Sequence, residues 1–339
     1  MEKFSNKMNL NHKKIFITCG GGLGDMIVYT PALRALKEKY PACHITFMTK
    51  YGNHEVLQGL PYIDKLTYII RGKALGRYRV LPELWGQDAV VFTDWQPQLL
   101  FFAKWFGIPV RAGVERLGHR FNNYLTKPLQ HMVFKSRQYA GRSDADFFER
   151  ALDIQLPGAM DKLDIAQPSE QTRQSVQLKL KRIGLTGDYA VLSPFASQKT
   201  RDWQKQDAQK FIQSMEQKYK LPVVISASPL KKEEAQNIGK FVLADLTTME
   251  LVALIQEAKL LITPDSGPMH IAGAVGTPCV ALFSKDLPSR WAPRHNCIPV
   301  YLNEPCSPCD DETAFKCKTV KCMRGITAKM VMEKVETMI

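Results

Sequence analysis

The feature that most constrains the fold is the stretch from residue 260 to residue 284, LLITPDSGPMHIAGAVGTPCVALFS. An apolar run ends at Pro264, an Asp-Ser-Gly turn follows, and a small-residue segment with His270 leads to a second apolar run. This order predicts strand, turn, helix and strand, with Asp265 or Ser266 capping the helix. A helix that starts at the end of a parallel strand is where α/β sheets bind anions. The stretch therefore predicts a site for a small molecule that carries phosphate.

Strands and helices alternate along the chain. Short apolar runs that fit buried strands are separated by longer stretches that fit helices. This alternation is typical of parallel sheets that are covered by helices on both faces. The predicted strands are 13–18, 44–49, 66–70, 89–93, 110–114, 189–194, 221–227 and the two apolar runs of 260–284, and the predicted helices are 25–39, 141–157, 205–219, 231–239 and 327–338.

The alternation lapses between residues 157 and 187, where the chain is polar and weakly patterned. A chain of 339 residues is long enough for two domains of ordinary size. We therefore predict an N-terminal α/β domain over 1–160, a C-terminal α/β domain over 161–325, and a final helix within 326–339.

The net charge of +13 is unevenly distributed. Residues 104–142 contain eight Lys or Arg and one acid, Glu115. A basic surface attracts nucleic acid, anionic lipid or phosphorylated substrates without distinguishing them. We find neither a recognition-helix motif nor an aromatic-basic strand motif, which disfavours nucleic acid. Two interpretations stay open: a basic face for an anionic acceptor or a membrane, and an ordinary solvated surface. The basic set includes Arg116 and Arg120 of this stretch and, earlier in the chain, Arg71, Lys73, Arg77 and Arg79.

The sequence contains no apolar stretch of membrane-spanning length, since the run LLFFAKWFGI is short and interrupted by Lys104. The first 14 residues are polar and lack the apolar core of a signal peptide. These features predict a cytoplasmic protein that is at most peripheral to a membrane. In such a reducing compartment, the eight cysteines are expected as thiols or metal ligands rather than disulfides.

A loop rich in glycine, from Gly20 to Gly24, lies between the first predicted strand and the helix that follows it. It lacks the Gly-Lys-Ser/Thr of a Walker loop and the glycine spacing of the dinucleotide fingerprint. Asp25 stands at the helix entrance instead. A carboxylate there can cap the helix or accept the proton of a substrate hydroxyl, and spacing alone leaves both roles open.

GGGLGDMIVYTPALRALKEKYP, from residue 20, resembles the N-terminal signature of glycosyltransferase family 9, the lipopolysaccharide heptosyltransferases. TPDSGPMHIAGAVGTPCVALFS, from residue 263, resembles the C-terminal signature of the same family. The resemblance implies the GT-B fold, in which two Rossmann-like domains face a cleft. It also implies an inverting transfer that needs no catalytic metal.

The resemblance assigns roles to individual residues. It implies that Asp25 is the base, beside an acceptor-side glycine loop, and that the turn in 265–270 binds the donor diphosphate. SPFASQKTRDWQ (193–204) resembles the intervening motif, but Arg201 replaces the usual lysine and Gln204 the usual proline, so Arg201 and Lys199 both remain candidates for the phosphate clamp. We expect Trp203 to be a core or interface aromatic. The remaining site residues are Gly21, Gly22 and Gly24 of the glycine loop and Ser197, Asp265, Ser266, Gly267 and His270 on the donor side.

The family implies ADP-heptose as donor and a lipopolysaccharide-core or related anionic glycolipid or glycan as acceptor. Two alternatives stay open at this point. One is another GT-B nucleotide-sugar enzyme, such as a UDP- or GDP-sugar transferase or an epimerase. The other is a nucleotide-sugar-binding protein that has lost activity.

Four cysteines near the C-terminus have the spacing C-x2-C-x7-C-x4-C. Four thiolates within such a span can form one tetrahedral site, with zinc as the default metal and iron as the alternative. Four protein ligands leave no open position, so the site would be structural. Reduced surface thiols are the competing interpretation. The candidate ligands are Cys306, Cys309, Cys317 and Cys322, whereas Cys19, Cys43, Cys279 and Cys297 are expected as core thiols.

Overall fold

The computed structural model describes residues 9–70, 72, 75–116, 118–129 and 138–339. These residues form two compact units. The first contains the described residues up to 129 together with Ala140–Ala166, and the second contains residues 138 and 139 together with Gln167–Ile339. The polar start of the chain up to residue 8 and the basic residues Arg71 and Lys73 lie outside the described residues.

The first unit is built on a six-stranded sheet in the order β3-β2-β1-β4-β5-β6, and every ladder in it is parallel. This is the strand order of a Rossmann fold. Its strands are β1 Lys14–Thr18, β2 His44–Lys50, β3 Lys65–Ile69, β4 Ala89–Phe92, β5 Val110–Val114 and β6 Lys127–Leu129. Its helices are α1 Leu23–Lys39, α2 Leu81–Leu84, α3 Pro97–Trp105 and α4 Ala140–Leu152, with 3-10 turns at His54–Leu57, Tyr78–Val80 and Arg120–Tyr124.

The second unit has the same arrangement. Its sheet runs β9-β8-β7-β10-β11-β12, again wholly parallel. Its strands are β7 Ala190–Leu192, β8 Val223–Ser226, β9 Phe241–Leu243, β10 Leu260–Pro264, β11 Cys279–Phe283 and β12 Cys297–Tyr301. Its helices are α5 Glu170–Arg182, α6 Lys205–Tyr219, α7 Lys232–Gln236, α8 Thr248–Gln256, α9 Gly267–Val275, α10 Pro288–Trp291, α11 Asp311–Lys316, α12 Lys321–Arg324 and α13 Ala328–Val335, with 3-10 turns at Lys199–Arg201 and Pro229–Lys231.

In each sheet, the order of the strands along the chain reverses at one pair of neighbouring strands. In the first unit β1 pairs with β4, so that Phe16 lies opposite Val90. In the second unit β7 pairs with β10, so that Val191 lies opposite Leu261. The carboxyl ends of such strand pairs are the ligand-binding edges of α/β sheets. The glycine loop follows β1, and the Asp-Ser-Gly turn follows β10, so both predicted site segments occupy these edges.

Residues 161–166 pack with the first unit, although we assigned them to the C-terminal domain from the sequence. The Asp164 carboxylate pairs with Arg34 and accepts the Tyr62 hydroxyl, and the Asp164 N–H donates to the Thr30 hydroxyl. The backbone N–H of Ala166 donates to the first unit as well, at Val56. These polar contacts attach residues 164–166 to the first unit.

Trp203 is a core residue, as predicted. It is 2% exposed, and its indole Nε1 donates to the carbonyl of Ile326 at 2.9 Å. Val331 and Val335 of α13 belong to the same apolar cluster, so the last helix packs on the second unit. Of the four cysteines expected as core thiols, three are buried, and Cys297 at the start of β12 is half-buried.

The structure differs from the predicted elements in several places. The predicted helix 141–157 ends at Leu152, because Asp153 takes a left-handed φ of 50°. Helix α5 lies in the stretch that looked unpatterned, since its sequence is polar and only Val176 and Leu180 are buried. The segments β6, β9, β12 and α8 were also not predicted from the sequence. Among the described residues, no helix is both long and apolar enough to span a membrane.

Candidate active site

The loop between β1 and α1 is shaped by the close approach of two carboxylates. A Cβ atom on Gly20 would lie 1.8 Å from Oδ2 of Asp94, and a Cβ on Gly21 would lie 2.5 Å from the Asp25 side chain. A Cβ on Gly22 would meet the same side chain at 3.6 Å, an ordinary contact. Only the first two positions therefore need glycine for close approach. The third predicted site glycine, Gly24, lies within the first turn of α1.

Asp25 caps α1. Its Oδ2 accepts the backbone N–H of Gly22, the N-cap residue, at 2.6 Å. The capping role that the sequence left open is thus present. An ionised carboxylate has two oxygens and about four acceptor positions, so the capping bond does not by itself exclude a role as a proton acceptor. The N-terminal end of the helix dipole also favours the ionised form.

Asp94 is a site residue that the sequence analysis missed. It follows β4, and the pairing of β4 with β1 brings it to the glycine loop. Its Oδ1 accepts the Thr18 hydroxyl at 3.2 Å, and its Oδ2 accepts the Gln96 side-chain amide at 2.5 Å. No motif marks this aspartate in the sequence. Only the strand pairing identifies it.

Asp94 also lines a cavity of about 520 Å³ in the first unit. Arg77, Arg116 and His119 line the same cavity, together with Trp95. Two guanidinium groups favour an anion, since each can hold phosphate or carboxylate through two parallel hydrogen bonds. The cavity thus places two members of the predicted basic set beside Asp94, the carboxylate that approaches the glycine loop from the end of β4.

The turn between β10 and α9 leaves the helix start uncapped by its own N-cap side chain. Ser266 is the N-cap residue, but its hydroxyl donates to the Pro264 carbonyl at 3.1 Å and lies 3.1 Å from the Thr263 hydroxyl. The predicted side-chain cap from Ser266 is therefore wrong. The start of α9 carries its positive dipole end. Of its first three residues only Gly267 can offer a backbone N–H to a ligand, because Pro268 has none and the Met269 N–H donates to the Ser266 carbonyl at 3.1 Å.

Arg201 is anchored beside this turn. Its Nη1 donates to the carbonyl of Asp265 at 2.8 Å and lies 3.8 Å from the Asp265 carboxylate. Its Nη2 donates to the Ser197 hydroxyl at 3.0 Å, while its Nε is buried without a partner among the described residues. Lys199 is exposed and lines a different cavity, of about 650 Å³. The structure thus distinguishes the two candidate cations, because only Arg201 contacts the turn.

His270 lies one turn into α9 and is 3% exposed. Burial lowers its pKa to about 4, so the imidazole is neutral near pH 7. Its ring meets Trp291 edge-on at 6.2 Å between centroids. Its Nδ1 is buried without a partner in the described part of the chain. Buried polar atoms are nearly always satisfied, so an unpaired Nδ1 near an anion site points to a ligand.

The four C-terminal cysteines do not form a metal site as they are placed. Cys306 is exposed and the other three are half-buried. In the described ranges, no three His, Cys, Asp or Glu side chains are close enough to hold a metal ion. The thiols are near enough to interact, because burial and then Cys322 and Cys306 raise the pKa of Cys309. The arrangement of the described residues therefore does not support the predicted metal site, whose basis stays the spacing of the cysteines.

Comparison with known proteins agrees with this geometry. The profile of glycosyltransferase family 9 (heptosyltransferase) matches residues 101–319. Lipopolysaccharide heptosyltransferase 3 of Escherichia coli K12 is 28% identical over 295 residues, which covers 80% of this chain and 82% of that protein. Among solved structures, a family 9 glycosyltransferase from Veillonella parvula has a TM-score of 0.82 at 22% identity, covering 98% of this chain and 99% of that one. E. coli ADP-heptose LPS heptosyltransferase II has a TM-score of 0.71 at 19% identity, covering 96% and 98%.

The two parallel six-stranded sheets and these structural neighbours define the class, a two-domain α/β fold of the GT-B type. The profile match spans more than half of the sequence, and the chain belongs to glycosyltransferase family 9. It is a glycosyltransferase, and the resemblance inferred from its motifs is confirmed. Arg201 and the turn at Asp265 lie within the matched range, whereas Asp25 lies before it.

Proposed function

We propose that this glycosyltransferase moves heptose from ADP-heptose to a hydroxyl of a lipopolysaccharide-core or related anionic glycolipid, with inversion at the anomeric carbon. The names of the E. coli relative and of the E. coli structural neighbour support this choice of donor and acceptor. The observation that carries the proposal is the guanidinium of Arg201, which is anchored at the start of α9. That arrangement suits a diphosphate.

The donor half of the reaction needs a site that stabilises a leaving diphosphate. As the bond from the anomeric carbon to the diphosphate oxygen breaks, negative charge grows on that oxygen. Arg201, the Gly267 N–H and the positive end of the α9 dipole would offset this charge, and their contribution increases in the transition state. The neutral imidazole of His270 would donate a hydrogen bond without adding charge. Ser197 and Ser266 would add hydroxyl contacts.

The acceptor half of the reaction needs a base and a means of orienting the acceptor. Asp25 would take the proton of the acceptor hydroxyl while the oxygen of that hydroxyl forms the new bond to the anomeric carbon. Asp94 would accept a hydrogen bond from a neighbouring acceptor hydroxyl. Arg77 and Arg116 would bind an anionic group of the acceptor in the cavity that they line. A glycolipid acceptor further implies work at the cytoplasmic face of the inner membrane, with peripheral membrane contact.

The reaction as proposed needs no catalytic metal, because Arg201 supplies positive charge at the diphosphate. A structural zinc or iron on the four C-terminal cysteines is a separate proposal. Its support is their C-x2-C-x7-C-x4-C spacing in the sequence. Elemental analysis of freshly reduced protein tests it. Close to one metal per chain is expected, and a clearly substoichiometric content would reject it.

A thermal-shift panel of ADP-, UDP- and GDP-sugars tests the donor assignment. A ligand that binds only the folded state raises the melting temperature by mass action. We expect ADP and ADP-heptose to raise it and the uridine and guanosine compounds to do so much less. A larger shift with a UDP- or GDP-sugar would reassign the donor. Tight ADP-heptose binding without transfer to any lipopolysaccharide-core acceptor would indicate an inactive binding protein.

A further inference from the structure

The first unit carries an aromatic surface that the proposed chemistry does not use. Helix α3 buries Leu99, Leu100 and Ala103 against the core. Its outward side is also apolar, because Phe101 and Trp105 lie four residues apart on one face. Trp105 is 72% exposed. A surface helix normally turns a polar face to solvent, so an apolar outward face indicates a partner.

This surface continues beyond α3. Trp85, which is 69% exposed, meets the ring of Phe106 edge-on at 4.9 Å between centroids. Phe106 contacts Phe102, whose ring contacts Phe101 at 5.4 Å. Phe101 in turn meets Trp105 at 5.7 Å. The exposed tryptophans are therefore the two ends of one chain of ring contacts, not isolated surface residues.

Cations border the aromatic chain. The Lys104 ammonium lies 4.0 Å from the centre of the Tyr124 ring, and the Arg120 guanidinium lies 5.1 Å from the Phe121 ring. Both of these rings contact Phe101. Residues 97–129 contain five Lys or Arg and one acid. The aromatic-basic face, defined by Trp85, Phe101, Lys104, Trp105 and Arg120, thus combines exposed indole rings with positive charge.

We infer that the aromatic-basic face binds the headgroup region of an anionic lipid bilayer. Tryptophan suits that region because its ring is apolar and its N–H is polar. Lys104 and Arg120 add attraction to anionic lipid. A second copy of this chain fits the face poorly, since a two-fold contact would bring the same cations together. The inference deepens the membrane contact proposed above and rests on the proposed function only for its biological purpose.

Vesicle binding tests the inference without donor or acceptor. Co-flotation with vesicles of phosphatidylcholine, alone or mixed with phosphatidylglycerol, measures partitioning of the full chain. We expect binding to the anionic vesicles only. Trp85→Ala/Trp105→Ala and Lys104→Glu/Arg120→Glu should each weaken it by about tenfold or more. The matched controls Leu230→Ala/Phe315→Ala and Lys210→Glu/Lys329→Glu alter exposed side chains of the second unit and should bind like the parent chain.

Several results would overturn the inference. The parent chain could fail to bind anionic vesicles, or the tryptophan variant could bind them as well as its control does. Self-association that Trp85→Ala/Trp105→Ala abolishes, without vesicle binding by the parent chain, would assign the face to a second copy. Melting temperatures confirm that each variant is folded. The ADP thermal shift is measured separately, so failure of the donor assignment and failure of membrane binding are distinguishable.

Discussion

The strand order reverses at equivalent positions in the two units, but the loops there carry different charged groups. In the first unit, the loops after β1 and β4 place Asp25 and Asp94 against Gly21 and Gly20. In the second unit, the loops after β7 and β10 place Arg201 against the turn at Asp265. One edge therefore presents two carboxylates. The other presents a guanidinium beside the start of a helix.

The difference shows how one architecture serves two roles. In α1 the first turn is closed by an acid, because Asp25 accepts the N–H of Gly22. In α9 the N-cap hydroxyl of Ser266 is bonded to the preceding strand end instead. A carboxylate at a helix start repels a diphosphate, whereas an open helix start attracts it. The local capping choice thus separates the proposed base from the proposed donor site.

The substitution Asp25→Asn tests the proposed base and is expected to have the largest effect. Turnover should fall on the order of a hundredfold or more, because an amide cannot take the acceptor proton. Affinity for ADP should be unchanged. The asparagine oxygen can still accept the Gly22 N–H, so the melting temperature reports whether the cap is kept. Near-normal turnover with intact folding would remove Asp25 from the base role.

The buried neutral His270 makes the donor unit sensitive to acid. Its pKa is about 4 in the folded chain against 6.5 normally. Between these values the unfolded chain binds more protons, so stability falls as pH falls from 6.5 to 4, by about 3 kcal/mol from this group. Urea unfolding of the parent chain and of His270→Gln should show this slope in the parent only. Equal slopes in both would contradict a buried neutral imidazole.

Arg201→Ala tests which cation holds the donor. Loss of a charge-assisted contact to diphosphate should weaken ADP binding by about tenfold to a hundredfold. The matched variant Lys199→Ala should have little effect, since Lys199 is exposed and lines the other cavity. Isothermal titration with ADP measures both. A larger effect at Lys199 would reverse the assignment.

Glycine variants test the close approach of the carboxylates. Gly20→Ala should destabilise the chain by about 2 kcal/mol, because the new methyl group would overlap Asp94. Gly22→Ala is the matched control, and should cost no more than about 1 kcal/mol at this N-cap position. Urea unfolding provides the free energies of unfolding. Equal costs would show that Gly20 is not required for the position of Asp94.

Much of the fold follows from periodicity, and the failures have physical causes. Long apolar strands such as β2 and β11 were predicted because they are buried along almost their whole length. The strands β6 and β9 have three residues each and are only partly buried, whereas β7, which is equally short, is fully buried and was predicted. Helix α5 owes its place to the burial of Val176 and Leu180 on an otherwise polar sequence. Packing, rather than intrinsic pattern, determines these elements.

The candidate site was predictable where its residues are close in sequence. The donor turn and the glycine loop each form one continuous motif. Asp94 escaped notice because only tertiary structure brings it to the glycine loop and to the cavity that Arg77 also lines. The choice between Arg201 and Lys199 also needed the structure, since both lie in the same short 3-10 turn. Arg201 contacts the turn at Asp265 and Lys199 does not, and the sequence alone does not show which side chain lies near that turn.

The most direct test of the opposite roles of the two edges is the thermal shift that ADP produces in two variants. If the first unit supplies the base and the second holds the donor, Asp25→Asn should keep the full ADP shift and Arg201→Ala should lose most of it. The experiment needs no acceptor. Loss of the shift in Asp25→Asn, together with its retention in Arg201→Ala, would contradict the division of roles.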